Sequence, residues 1–365
     1  MSRDEEIAMM LSSDRLATTG FINAAAFPAL EPDSMRKRQP TEQGATELMD
    51  KAYECLDSCD AKGALKIGKK LKSMKYSGGF EIMAMAYVDD DQKDKAIECL
   101  EEGVKTCPDV WILWQMLGNY RSHQDEFDKA MACYDKAAAC PNSDTSLVNL
   151  NRAVCLCRQG LNEKAINTLQ RVTSEDWRIE RESVRVGCLV ELRRFDEAIR
   201  RGEELTKEIG ASEGLADRYK GELSRTFSWL ARAFLEGKKD QEKARAAVES
   251  ALERDKGNDS ALATLREVNN LPADDKDKLI WIMVEGQWPA PLEIEGEEEC
   301  PGFYTNYWVV ASTPREAFEF AREVERRDVR ASLKISKHNV RQREAWQKLR
   351  GVYSRTGYVF FPPPQ

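Results

Sequence analysis

Histidine is scarce in this sequence of 365 residues: there are only two, His123 and His338. That leaves a Ser-His-Asp or Cys-His arrangement few members to draw on. There is no HExxH pair, no GxSxG elbow, no GxxxxGK[ST] phosphate loop and no GxGxxG turn after a strand. No apolar run approaches the roughly 20 residues that a membrane-spanning helix needs. The ten cysteines include no CxxC pair, the closest spacings being Cys155-x-Cys157 and Cys55-x3-Cys59. With no histidine beside them, a zinc site is not indicated. The opening MSRDEEIAMMLSSDR leads with acids rather than with a basic region ahead of an apolar core, so it does not read as a signal peptide. These absences lead to the expectation of a cytoplasmic, non-catalytic protein with no cofactor and no metal site. Its thiols should be reduced and mostly buried, serving as small hydrophobes on helix faces.

Apolar residues make up 42% of the chain and charged residues 32%, the balance of a folded domain with a heavily charged surface. The net charge of −8 is unevenly spread. Residues 326–355 carry ten Arg or Lys against Asp328 and Glu344, whereas residues 285–299 carry six Glu and no base.

A repeat runs through the middle of the chain. Ala64, Ala96, Ala130, Ala165, Ala198 and Ala244 are separated by 32, 34, 35, 33 and 46 residues. Each follows a charged turn and opens a short amphipathic stretch, as in DKAIECLEEGVKTCPD and DKAMACYDKAAACPN. Ahead of each lies a partner stretch at helical spacing. Trp114-x2-Leu117-Gly118 precedes Ala130-x3-Tyr134 and Pro141; Phe80-x2-Met83-Ala84-x2-Tyr87 precedes Ala96-x3-Leu100 and Pro108. The small residues Ala52, Ala84, Gly118 and Ala153 let two helices of a hairpin approach closely. The recurring alanine admits the next hairpin, the aromatic fills the space beside it, and the proline stops the helix.

This pattern resembles the tetratricopeptide repeat over about residues 45–257. There are departures: Tyr120 and Pro141 each stand one place early, and the stretches 45–76 and 179–212 lack the large first aromatic. The last pair is stretched, its first helix expected from Ser212 to Leu235. The resemblance implies a mostly α fold, a right-handed superhelical solenoid of helix hairpins with first helices lining a concave groove. Asp259–Val268 reads as a capping helix. Co-chaperone members of the family grip a terminal carboxylate with Asn, Lys and Arg on those helices. Asn119 and Asn151 stand at clamp-type asparagine places, but the cation places carry Gln115, Glu180 and Val184. The resemblance therefore implies a peptide-binding groove around Asn119, Asn151 and Gln115 without carboxylate capture. Asp89-Asp90-Asp91 falls at the turn of one hairpin and reads as turn chemistry.

The pattern changes after Pro272. Leu279–Val284 is a buried strand or a helix end; Gln287–Pro301 is a loop rich in Pro and Glu; Phe303–Ala311 reads as a strand. Thr313-Pro314-Arg315-Glu316 offers an N-cap hydroxyl, a proline at the first helical place and a Glu beyond it, opening a helix to about Arg326. Ala331–Ser336 alternates as a strand does, Gln342–Leu349 reads as a short helix, and Val352–Phe361 as a hairpin. The resulting organisation is a largely disordered tail at 1–44, a helical-repeat domain at 45–272 and a small α+β C-terminal domain at 273–365. The expected function is an adaptor or scaffold that binds a protein or peptide partner and no membrane. The alternative is a regulatory protein that docks on nucleic acid through residues 326–355, with Arg341, Arg343, Lys348 and Arg350 as the basic patch and Trp346 and Tyr353 interleaved.

Overall fold

The computed structural model describes residues 40–361, apart from 291, 295–296 and 300. The tail at 1–44 and Cys300 therefore lie largely or wholly outside the described residues. Two compact units form, dividing between Cys188 and Leu189.

The first unit is a row of helix hairpins: α1 (Pro40–Asp57) with α2 (Ala61–Ser73), α3 (Gly78–Asp89) with α4 (Lys93–Thr106), α5 (Trp111–His123) with α6 (Phe127–Ala139), and α7 (Thr145–Arg158) with α8 (Asn162–Leu169). The division falls within α9 (Arg178–Glu191). In the second unit come α10 (Phe195–Ile209), α11 (Glu213–Arg218), α12 (Lys220–Arg232), α13 (Gln241–Arg254) and α14 (Asp259–Asn269). The six recurring alanines are all fully buried, as are Ala52, Ala84 and Ala153. Gly118 shows why: a methyl group there would stand 2.7 Å from the Tyr134 ring. The helix expected from Ser212 to Leu235 is broken. Tyr219 ends α11, α12 follows, and a π-helical turn covers Ala233–Lys238. Most of the extra length of the last repeat is taken up by the added helix α11, while the π turn absorbs about one residue.

Each hairpin turns in the same way. The residue five places before each recurring alanine is left-handed: Cys59, Asp91, Asp125, Gly160, Arg193 and Lys239, with φ of 58°, 53°, 60°, 73°, 59° and 56°. In the first five turns the next N–H reaches back across the helix end. Asp60 donates to Cys55 (2.7 Å), Gln92 to Tyr87 (2.7 Å), Glu126 to Arg121 (2.9 Å), Leu161 to Leu156 (2.9 Å) and Arg194 to Leu189 (2.8 Å). These are Schellman closures, which satisfy carbonyls that a helix end leaves without partners. In the sixth, Asp240 donates one residue farther back, to Phe234 (3.1 Å), past the π turn. The acidic triplet at 89–91 is accordingly a turn.

In the second unit the sheet runs β5–β1–β4–β6, with β7 also on β4: β1 (Lys278–Gln287), β4 (Gly302–Ala311), β5 (Lys334–Arg341), β6 (Gly351–Arg355) and β7 (Val359–Phe361), all pairs antiparallel. The loop expected at 287–301 holds two short paired strands, β2 (Leu292–Ile294) and β3 (Glu297–Glu299). Helix α15 (Pro314–Val324) starts where the sequence placed it: the Thr313 hydroxyl accepts the Glu316 N–H at 3.1 Å. Three expectations fail. Strand β5 begins at Lys334, not Ala331, because 328–332 turns. Gln342–Leu349 is irregular, held by a bridge between Pro272 and Leu349. Val352–Phe361 is not a hairpin: β6 and β7 pair with successive parts of the same edge of β4. The junction is fixed by Thr356, whose N–H donates to the Asn306 carbonyl.

The boundary expected at 272 is not a break in packing. One apolar core contains Leu230 and Phe234, Val248 and Leu252 of α13, Leu262 of α14, Ile280 and Ile282 of β1, Tyr307 of β4 and Ala321 of α15. Inside it lies Glu325, whose carboxylate receives Lys256 Nζ (2.8 Å), Arg355 (2.9 Å), the Tyr358 hydroxyl (2.5 Å) and the Tyr307 hydroxyl. Burial raises the Glu325 carboxyl, but Arg355 and Lys256 outweigh it and hold it below the usual carboxylate range. A buried charge with four partners is tolerated; removing one partner leaves the rest uncompensated.

The turn geometry has a direct test. A methyl group on Gly160 would meet nothing within 4 Å, so Gly160→Ala isolates backbone strain. It should lower stability by roughly 1 kcal/mol, while Lys239→Gly, relieving the same strain, should raise it by about 0.5 kcal/mol after glycine's larger unfolded freedom is subtracted. Urea unfolding of the two variants checks both signs.

Candidate functional site

The first helices of the four hairpins share a repeated face. Counting one residue on from the small residues Ala52, Ala84, Gly118 and Ala153 gives Tyr53, Met85, Asn119 and Val154, all half-buried while the small residues are covered. The Tyr53 hydroxyl donates to Glu81 Oε1 at 2.6 Å, joining α1 to α3 across this face. Burial, partly countered by Tyr53, raises the Glu81 carboxyl above its ordinary value. One turn beyond the stripe stand Asp57, Asp89, His123 and Arg158, so its rim is acidic at the first two hairpins. Arg158 is anchored on the Ser122 carbonyl (3.2 Å) and Asp125 (3.1 Å). Burial, then Arg158 and Lys93, push His123 down to about 4, so it is neutral at pH 7.

The groove residues expected from sequence are placed unequally. Asn119 belongs to the stripe, and its Oδ1 accepts the Tyr134 hydroxyl at 2.9 Å. Its oxygen is thereby engaged within the fold. Asn151 is half-buried and donates Nδ2 to the Leu147 carbonyl at 3.2 Å, a bond within its own helix. It is not the counterpart of Asn119: Gly118 and Ala153 each stand twelve residues before a recurring alanine, so the counterpart is Val154. Gln115 lies one turn before Asn119 and is fully buried, with neither amide atom hydrogen-bonded. Sequence reasoning missed Tyr53, Met85 and Val154, although a count of one from each small residue finds them.

The basic patch is divided in the same way. Arg350 donates to Asp277 (2.9 Å) and Glu316 (3.2 Å), and Arg343 to the carbonyls of Gln347 (3.1 Å) and Asp274 (3.4 Å). Both are thus held by partners within the fold, most of them distant in sequence. Arg341 stacks 5.8 Å from the Trp308 ring centroid, and Lys348 is exposed. Arg326 pairs with Asp328, Arg327 with Glu249 and Arg355 with Glu325, so much of the positive run is neutralised locally. Among the described residues, no group of three or more His, Cys, Asp or Glu converges on one point, and no helix is long and apolar enough to cross a membrane. The nine described cysteines are free thiols. Four of them are buried, and Cys59 is exposed, so burial is less complete than expected.

Stacked helix hairpins with small residues at fixed places and a shared first-helix face define a helical-repeat protein. A tetratricopeptide repeat family model matches residues 81–110, which span α3 and α4. Residues 81–110 thus match a tetratricopeptide repeat, within a mostly helical chain whose hairpins are followed by an antiparallel sheet region. No curated protein matches it. Among solved structures it is similar to the APC/C hetero-tetramer Cut9–Hcn1, at 14% identity over 61% of this chain and 42% of that one, with a TM-score of 0.49. It thus spans less than half of that chain's length. It is also similar to a tetratricopeptide repeat protein from Parabacteroides merdae, at 13% identity over 62% and 100%, with a TM-score of 0.40. A third is YrrB, a TPR protein with an unusual peptide-binding site, at 14% identity over 62% and 98%, with a TM-score of 0.35.

Because Asn119 supports a buried tyrosine, Asn119→Ala should destabilise the fold by roughly 1–3 kcal/mol, the range for a buried polar group left without its partner. Adding Tyr134→Phe should recover most of that loss. A double-mutant cycle by urea denaturation that returned additive effects would mean the bond is not formed.

Proposed function

We propose that the chain is a non-catalytic scaffold of the cytoplasm that holds a peptide or helix of a partner protein along the stripe Tyr53–Met85–Asn119–Val154. The observation that carries this reading is the recurrence of a half-exposed side chain at one repeat position in four successive hairpins. Partly exposed apolar groups in a row gain from being covered, by about 25 cal/mol per Å² of apolar surface removed from water. An amphipathic helix or an extended segment offers the matching apolar row. The Asn119 amide nitrogen donates to a backbone carbonyl of the ligand, fixing its register. Asn151 adds its carbonyl oxygen, and Gln115 lies beneath the stripe as part of its floor. The rim, acidic at Asp57 and Asp89, favours a ligand whose basic end lies toward α1. The cation places of a carboxylate clamp hold Gln115, Glu180 and Val184, so recognition does not need a free C-terminus.

The test begins with affinity capture from the native cell and continues with calorimetry on the identified segment. Met85→Glu with Val154→Glu should weaken binding at least tenfold in a protein whose circular dichroism still reports the folded helices. Asn119→Asp, which keeps an acceptor for Tyr134 and deletes the donor, should weaken it several-fold. Amidating the segment's C-terminus should change little. Unchanged affinity in the double variant would remove the groove from the mechanism, and a large loss on amidation would restore the clamp.

A further inference from the structure

The sheet of the second unit buries one face and leaves the other open. On β1, Ile280, Ile282 and Val284 enter the core, while Trp281, Met283 and Glu285 between them are half-exposed. On β4, Phe303, Tyr307 and Val309 are buried, while Tyr304, Asn306 and Trp308 alternate with them on the open side. The register sets these residues side by side: Trp281 opposite Trp308, Met283 opposite Asn306, Glu285 opposite Tyr304. Tyr304 in turn stacks on Phe361, with centroids 4.6 Å apart and planes inclined by 28°. Segments around Ala273 and Tyr353 cover only the end of this face, at Leu279 and Val310.

The edge strand β5 adds charge to the same face. Asn339 stands opposite Trp281, Lys337 opposite Met283 and Arg341 opposite Leu279. The irregularity between Met283 and Val284 then brings Lys334 opposite Glu285. Without that one-residue shift, Lys334 would lie on the other face. Lys334 and Lys337 are exposed, and the Arg341 guanidinium lies over Trp308. A row of aromatic side chains on a sheet is thus bordered by three cations along one strand.

We propose that this open face binds single-stranded nucleic acid, with bases stacking on Trp281, Trp308 and Tyr304 and the phosphate backbone following Lys334, Lys337 and Arg341. Aromatic rings on an open sheet accept any unstacked base, and cations beside them neutralise its phosphates. A duplex keeps its bases inside its own stack and cannot use the rings. An acidic peptide would use only the cations, leave the indoles uncovered and meet Glu285. The site differs from the patch expected from sequence: Arg341 remains, while Arg350 is held by Asp277 and Glu316 and Arg343 by the carbonyls of Gln347 and Asp274.

The test is fluorescence anisotropy of a labelled oligo(U) or oligo(dT) of about 12 nucleotides with the full chain, beginning near ~50 mM salt, where phosphate contacts are strong. Binding is expected, falling steeply as salt rises. Lys334→Glu with Lys337→Glu, both on exposed positions, should weaken it tenfold or more. Neutralisation of the two contacts should be lost from the log–log salt slope, which should fall by about 1.4. Trp281→Leu should weaken binding at least fivefold while leaving the salt slope unchanged, which a purely electrostatic surface would not do. A duplex of the same sequence and a poly-glutamate peptide should each compete at least tenfold less well. No anisotropy change at the lowest salt overturns the proposal. So does an unchanged affinity in the lysine variant or in a folded Trp281→Leu protein, or poly-glutamate competing as well as the oligonucleotide, which would make this an acidic-peptide site.

Discussion

The close approach of helix to helix is the constraint on which the rest of the repeat array depends. Gly118 lies against the Tyr134 ring with no room for a methyl group, and the six recurring alanines have no exposed surface. A side chain of ordinary size at any of these places would separate the helices and open space that the neighbouring residues cannot fill. With spacing fixed this tightly, each helix can rotate very little, and the residue after each small one is brought to the same exposed face. The stripe is therefore a by-product of packing: Tyr53, Met85, Asn119 and Val154 are displayed because Ala52, Ala84, Gly118 and Ala153 are buried.

Backbone geometry at the turns maintains the repeat where the side chains vary. Only one of the six left-handed residues is glycine, yet all six stand five places before an alanine. Asp91 and Asp125 tolerate that conformation comparatively well, whereas Cys59, Arg193 and Lys239 adopt it at a cost. That cost is borne because the Schellman bonds and the packing of the following helix determine the turn. In the second unit the same repeat logic ends in a different solution. The apolar faces of α13 and α14 are covered by a sheet and by α15, and the buried carboxylate of Glu325 gathers Lys256, Arg355, Tyr307 and Tyr358 from separate parts of that unit.

Local patterns were legible in the sequence, and long-range pairings were not. The alanine spacing gave the hairpins, and Thr313-Pro314 gave the start of α15, because both depend on residues a few places apart. The equivalence of Asn119 and Asn151 failed because repeat lengths drift between 32 and 35 residues, so a fixed offset loses register. Strands β6 and β7 read as a hairpin because their shared partner β4 lies about 50 residues earlier. Arg350 read as a free cation because Asp277 is 73 residues away. The open sheet face was hidden for another reason. Leu279 to Val284 is continuously apolar, so alternation is invisible until the buried and half-exposed residues are told apart.

Two surfaces of different chemistry emerge, the stripe Tyr53–Met85–Asn119–Val154 and the aromatic, cationic sheet face. The stripe stands or falls with the claim that small residues fix helix spacing. Amide hydrogen exchange of Ala130→Leu against the parent chain tests that claim most directly, because overpacking a well-filled contact destabilises it. Faster exchange is expected in α5 and α6 and in the adjoining helices α4 and α7, with the sheet of the second unit unchanged. Identical exchange in α5 and α6 would contradict it.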